Sequence, residues 1–315
     1  MTTCGTVSAV IWRAVDAAAT TTRDAPAVVT IGTFDGVHRG HRALVDRARA
    51  VGGPVVAVTF DPHPVEVLVP DKAPRRLTTV ERRVALLLEA GADEVRALAF
   101  DREMAGWSPQ EFIDRVVVSQ LRASDVVVGS NFTFGSRAAG TCDVLRAAGP
   151  AGGFRLHEVE LLGGDTPWSS TRVRELVAAG DLRAAADILG RPHEVAGTVV
   201  QGQQRGRELG YPTANVPVDD RYAVPPDGVY AAWFVRSSGE RLPAATSIGT
   251  NPTFGEHDRR VESYVIDHAG LDLYGESVRV ELVDRLRPMV AFDGVDPLLE
   301  QMARDVDDAR AALGV

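Results

Sequence analysis

Cysteine is nearly absent from this chain: two residues in 315, Cys4 and Cys142. They lie far apart and form no Cys-x-x-Cys pair, so neither a zinc site nor a disulfide framework is read from them. Two incidental thiols in a reducing compartment are expected. No apolar run reaches a membrane-spanning length, and no basic segment followed by an apolar one opens the chain. A cytoplasmic protein with no membrane partner is expected. Positive charge is in deficit, with 34 Lys and Arg against 43 Asp and Glu and a formal net charge of −9. That balance disfavours nonspecific binding to nucleic acid or to anionic membrane. There is no Gly-x-x-x-x-Gly-Lys-Ser/Thr phosphate loop, no internal repeat and no low-complexity segment. What is present is ordinary for a globular protein, 45% apolar and 24% charged residues, and the length suits about two domains.

The first half is organised around residues 32–41, Gly-Thr-Phe-Asp-Gly-Val-His-Arg-Gly-His. The apolar run 27–31 feeds into this stretch, and an amphipathic run with Leu44, Val45 and Ala48 on one face leaves it. The pattern reads as strand, tight glycine turn and helix. His38 and His41 stand three apart at the helix start and share a face. A helix start offers unpaired N–H groups and a positive dipole end, and glycine allows close approach, so Gly32, Phe34, Asp35, Gly36, His38, Gly40 and His41 form a candidate phosphate site. Two imidazoles and backbone N–H groups suit attack on a nucleotide α-phosphate without a covalent intermediate.

Further strands are read at 55–60, 95–100 and 126–129, with a possible edge strand at 7–12. Helices are read at 80–90, from the capping box Ser108-Pro109-Gln110-Glu111 to about residue 121, from 169–174 to Gly180, and between Asp181 and Gly190. Apolar strands alternating with helices predict a parallel α/β sheet covered on both faces. Three unusual segments, 32–41, 61–64 and 130–135, fall at strand C-termini, where such sheets bind ligands. Arg191-Pro192 breaks the pattern, so the domain boundary is placed there, giving domains 1–190 and 191–315. Beyond it, strands at 195–201, 229–235, 244–248, 261–266 and 278–286, then one helix at 296–313, predict a small antiparallel β-barrel with a terminal helix.

In this second half Gly202, Gly206 and Gly210 stand at spacing four. They read either as a small helical face or, given Pro212, as a loop that lets ATP phosphates lie against backbone. Thr213 and Asn215 offer hard oxygen ligands suited to Mg²⁺ shared with phosphate, although Pro-Thr-Ala-Asn also reads as a plain turn. Glu262 shares a strand face with Tyr264 and Ile266, opposite Val261, Ser263 and Val265; alternation alone does not say which face is buried.

Residues 32–41 resemble the signature of the HxGH nucleotidyltransferases. Residues 27–313 as a whole resemble the prokaryotic riboflavin kinase/FMN adenylyltransferase family. The resemblance rests also on Asp61-Pro62-His63-Pro64, Asn131-Phe132-Thr133-Phe134-Gly135, Arg137 with Gly140, Ser169-Ser170-Thr171, Gly206 with 209–215, 251–255, 261–264 and Leu273-Tyr274-Gly275. It implies a Rossmann-like nucleotidyltransferase module that makes FAD and pyrophosphate from FMN and ATP, and a kinase module that makes FMN from riboflavin and ATP. By motif it gives His38, Gly40, His41, Asn131, Ser170 and Arg174 to the first ATP site, His63 and Phe134 to a flavin pocket, and Glu262 to the base that deprotonates riboflavin. Arg287 and Phe292 match a position near the flavin. Pro167-Trp168 and Leu68 depart from the family pattern. The alternatives are a chain with one working module, or a flavin- or nucleotide-binding regulator without catalysis.

Overall fold

A computed structural model describes residues 11–12, 25–164, 166–201, 210–250, 259–268 and 270–315. The chain forms two compact units, one of Met1–Pro74 with Thr79–Ser169 and one of Arg75–Thr78 with Ser170–Val315.

The first unit is built on β1 (Ile11–Trp12), β2 (Ala27–Ile31), β3 (Val55–Asp61), β4 (Glu94–Ala99), β5 (Ala123–Gly129) and β6 (Arg155–Val159). All pairings are parallel, in the order β1-β4-β3-β2-β5-β6. Helices α1 (Arg39–Val51), α2 (Pro64–Leu68), α3 (Val80–Glu89), α4 (Arg102–Gly106), α5 (Pro109–Phe112) and α6 (Cys142–Gly152) connect them. The capping box at Ser108 is present, and the helix it starts continues beyond α5 as a π-helix over Ile113–Gln120. Every residue of β2 is buried. Val29, Ile31, Val56, Val58, Val126 and Val128 face one core with the α5 side, and Val28, Val55, Ala57 and Val127 face another with α1 and α3. Burial on both faces explains why these strands are unbroken apolar runs rather than alternating ones. From β2 the chain first winds outward to β3 and β4, then crosses back to β5 on the other side. The reversal lies between β2 and β5, the switch point at which such sheets leave a crevice at their strand C-termini. Four elements of this unit were not read from the pattern: the short helices α2 and α4, and α6 and β6.

The second unit carries α7 (Ser170–Ala179) and α8 (Leu182–Leu189), whose cap is the Asp181 carboxylate accepting from Ala184 N–H at 3.1 Å. Then come β7 (His193–Thr198), β8 (Thr213–Pro217), β9 (Gly228–Val235), β10 (Arg241–Thr250), β11 (Arg259–Val265), β12 (Ser277–Pro288) and α9 (Val295–Leu313). The strands pair antiparallel in the order β7-β12-β9-β10-β11-β8. Just past β7, Val200 N–H donates to the Asn215 carbonyl of β8 at 2.9 Å, which brings the two ends of the sheet together as in a barrel. Tyr230, Phe234, Leu242, Val261 and Val280 fill the inside. Ala309 of α9 packs on the outside against Ala231 and Ile266, with Tyr264 and Val306 alongside. Residues 213–217 are therefore a strand, not the plain turn that Pro-Thr-Ala-Asn also allowed. Arg76 pairs in parallel with Tyr222, a short contact that no periodicity announced. Gly202, Gly206, residues 251–255 and residues 7–10 of the expected edge strand lie outside the described residues.

Candidate active sites

In the first unit the strand-turn-helix is present. His38 is the N-cap of α1, and its Nδ1 accepts from the His41 N–H at 3.4 Å. The two imidazoles are stacked, with centroids 3.6 Å apart at 23°. Gly40 sits so close that a Cβ there would lie 2.9 Å from His38 Cε1. A side chain at position 40 would therefore displace the imidazole. Phe34 is buried, packs beside Gly32 and meets His41 edge-on at 5.2 Å. Asp35 is also buried. Phe34 and Asp35 thus brace the turn from inside, and their backbone is what they can offer a ligand. Phe34, Gly36 and Val37 have φ of 50°, 80° and 40°. Two of these three are not glycine, so neighbours must hold the turn in this shape.

Asn131 is exposed just past β5, across the switch point from this turn. The adjoining Cys142 thiol is buried and directed at the carbonyls of Gly129 and Ser130, at 3.5 and 3.8 Å, and burial pushes its pKa up. His63 is the N-cap of α2, where its Nδ1 accepts from Val65 N–H at 3.3 Å. Phe134 is 8% exposed, lies parallel to Phe132 at 5.5 Å and belongs to the core. Gly140 leaves room for its ring, since a Cβ there would meet it at 2.7 Å. Trp168, at the departure from the family pattern, lies with its ring under the Arg39 guanidinium, 5.8 Å away.

In the second unit β11 runs between β8 and β10. Val261, Ser263 and Val265 point into the buried core, which settles the question that alternation left open: Glu262 is on the outer face with Tyr264. Its cross-strand partners are Asn215 on β8 and Ser247 on β10, and Tyr264 is opposite Thr213. Thr213, Asn215 and Glu262 are thus brought to one patch. Burial pushes the Glu262 carboxyl above its ordinary pKa, with the Arg260 charge opposing. The Asn215 Nδ2 donates to the Thr213 carbonyl at 3.2 Å, a bond that does not use the amide oxygen. Tyr211, next to Gly210 and ahead of β8, meets the Tyr264 ring at 5.0 Å. Arg287 is not presented freely. Its guanidinium grips both carboxylate oxygens of Asp305 on α9, each at 2.7 Å, and lies 5.8 Å from the Phe292 ring. Among the described residues, no three His, Cys, Asp or Glu side chains gather as a metal-ligand set.

Ser170 and Arg174 lie on the first turns of α7, and Arg174 Nε donates to the Arg75 carbonyl at 2.6 Å. Arg83 and Thr59 support the first site and escaped the sequence reading. The signal was available: Arg83 falls in the apolar stripe of α3 with Val80, Val84 and Leu87, a position where a charge needs a partner.

Residues 20–172 match the FAD synthetase family and residues 189–313 match the riboflavin kinase family. The bifunctional riboflavin kinase/FMN adenylyltransferase of Escherichia coli strain K12 is 39% identical, covering 91% of this chain and 93% of its own. The protein of the same name from Bacillus subtilis strain 168 is 33% identical, covering 90% and 92%. A crystal structure from Streptococcus pneumoniae, described as a macrolide-efflux protein, superposes with a TM-score of 0.82 at 33% identity, covering 91% of this chain and 95% of that one. Among the described residues, no helix is long and apolar enough to cross a membrane. With both halves matched in order, and with relatives aligned along nearly the whole length, the chain belongs to the bifunctional riboflavin kinase/FMN adenylyltransferase family.

Proposed function

We propose that the two activities divide at the Arg191-Pro192 break, FMN adenylylation residing in residues 1–190 and riboflavin phosphorylation in 191–315. The cross-strand placement of Glu262 against Asn215 carries the kinase assignment. Glu262 takes the proton from the riboflavin 5′-hydroxyl while that oxygen bonds to the γ-phosphorus of ATP and the bond to the β-phosphate oxygen breaks. Its raised pKa suits a base. Thr213 and Asn215 offer oxygen ligands beside that base, and with so few protein ligands the donor set fits Mg²⁺, which keeps water and phosphate oxygens around itself. When bound, Mg²⁺ would neutralise charge on the transferring phosphate. Gly202, Gly206 and Gly210 give the phosphates backbone to lie against.

In the transferase, an FMN phosphate oxygen attacks the α-phosphorus of a second ATP and pyrophosphate leaves. His38, His41 and the N–H groups at the start of α1 stabilise charge on the α-phosphate. By motif, Asn131, Ser170 and Arg174 are assigned to nucleotide binding. His63 and Phe134 serve FMN in this module, and Arg287 serves flavin in the kinase. Cytoplasmic location and the absence of a nucleic-acid partner follow from the reading of composition and charge.

The test is product chromatography from riboflavin or FMN with Mg-ATP. Glu262→Gln should abolish FMN formation yet still convert supplied FMN to FAD. Replacing His38 and His41 with alanine should do the reverse. A folded variant that lost both activities would sink the division of labour. Bound but unchanged riboflavin in the unmutated protein would mark a regulator.

A further inference from the structure

The turn that carries His38 and His41 holds two non-glycine residues at positive φ, Phe34 and Val37, and so needs an external brace. One buried side chain supplies it. Arg83, 1% exposed on α3, donates Nη1 to Thr59 Oγ1 at 3.1 Å and to the Phe60 carbonyl at 3.0 Å. Its Nη2 lies 3.9 Å from Asp35 Oδ1, itself buried. Thr59 passes the link on, donating its hydroxyl to the Thr33 carbonyl at 2.8 Å.

We infer that Arg83 is a positioning residue for adenylyl transfer, one guanidinium that sets two substrate-binding turns from below. Through Asp35, and through Thr59 to Thr33, it fixes the phosphate turn. Through Phe60 it fixes the end of β3, from which residues 61–64 emerge. The planar fork is what allows this, since two hydrogen-bond acceptors and one carboxylate in different directions share one cation. A lysine keeps the charge but loses the fixed geometry. The inference rests on the reading above that residues 32–41 bind ATP phosphates and 61–64 border FMN.

The three ties are separable. Thr59→Val keeps shape and removes the hydroxyl that accepts from Arg83 and donates to Thr33, leaving the ties of Arg83 to Phe60 and Asp35 in place. Loss of this Arg83–Thr59–Thr33 relay should raise the ATP KM of FAD formation about tenfold, with the FMN KM within about twofold. Thr59→Ser keeps the hydroxyl and should restore the ATP KM. Arg83→Lys should raise both KM values together. FMN formation from riboflavin by the same chains and the melting profile report folding, and if Thr59→Val unfolds its module, Arg83→Lys against wild type carries the comparison. An unchanged ATP KM in Thr59→Val, or a lower melting temperature with neither KM moved, would overturn the inference. His38→Ala, run alongside, separates the two ideas: if it too leaves FAD formation intact, the phosphate-site reading fails, whereas its loss beside an unmoved Thr59→Val removes only the role of Arg83.

Discussion

At the scale of single residues, contact distances between groups decide what the site tolerates. Alanine is a better helix former than glycine, so Gly40→Ala should not weaken α1 by propensity. Its Cβ would nevertheless stand 2.9 and 3.0 Å from two atoms of the His38 ring. The ring must leave its cap and its stacking on His41. FAD formation should fall about 10²-fold, the scale of a misplaced catalytic group, with FMN formation unchanged; kinetics of both reactions on one preparation checks this. Glu262 gives a second expectation. Burial disfavours the ionised form, so the carboxyl holds its proton to higher pH than an ordinary glutamate. A base must be ionised to act. Riboflavin phosphorylation should therefore be lost on acidification at a pH above the usual carboxylate value of about 4.3. A pH profile of kcat/KM for riboflavin reads it, and an acid limb at or below the ordinary value would count against Glu262 as the base.

At the scale of elements, α9 is held to the barrel by small apolar contacts and by ion pairs, Arg310 with Asp267 just past β11 and Asp305 with Arg287 on β12. The bidentate Arg287–Asp305 pair is supported by Gln301, whose Nε2 donates to Asp305 Oδ1 at 2.9 Å. Asp305→Ala leaves a largely buried guanidinium without its carboxylate. The cost should be about 2 kcal/mol, below the roughly 3–5 kcal/mol of a fully enclosed pair because Arg287 keeps some solvent; urea titration of wild type and variant measures it. This element also shows what was legible beforehand. The stripe Leu298, Leu299, Met302, Val306, Ala309 and Leu313 announced the helix, because a buried face leaves a 3.6-residue period. It did not announce Asp305, since a carboxylate between apolar positions looks like surface until its partner on another strand is known. The same holds for β8. Pro212-Thr213-Ala214-Asn215 also read as a plain turn, and β8 becomes a strand only through pairing with β11, which depends on residues about fifty positions away. The strand, turn and helix around 32–41 were legible because the apolar run, the glycines and the amphipathic face are local, whereas the brace from Arg83 and Thr59 is not.

At the scale of the molecule, two sheets of opposite kind, parallel and antiparallel, each enclose their own apolar residues. Buried parallel strands and half-exposed antiparallel ones leave different patterns, which is why the texture of the sequence changes near residue 191, while the compact units part between Ser169 and Ser170. The short parallel contact of Arg76 with Tyr222 left no such pattern, being a single bridge. The seam of the antiparallel sheet has a further consequence. Val200 lends its amide proton to Asn215, the residue that also stands opposite Glu262. An amide at an isolated bridge opens more readily than one inside a ladder. Its rate of exchange with deuterium therefore reports how firmly Asn215 is held. Filling the kinase site with Mg-ATP should slow exchange at Val200 more than at Val280, deep in β12. Followed by mass or NMR, that one proton would make the closing of the barrel visible as substrate arrives.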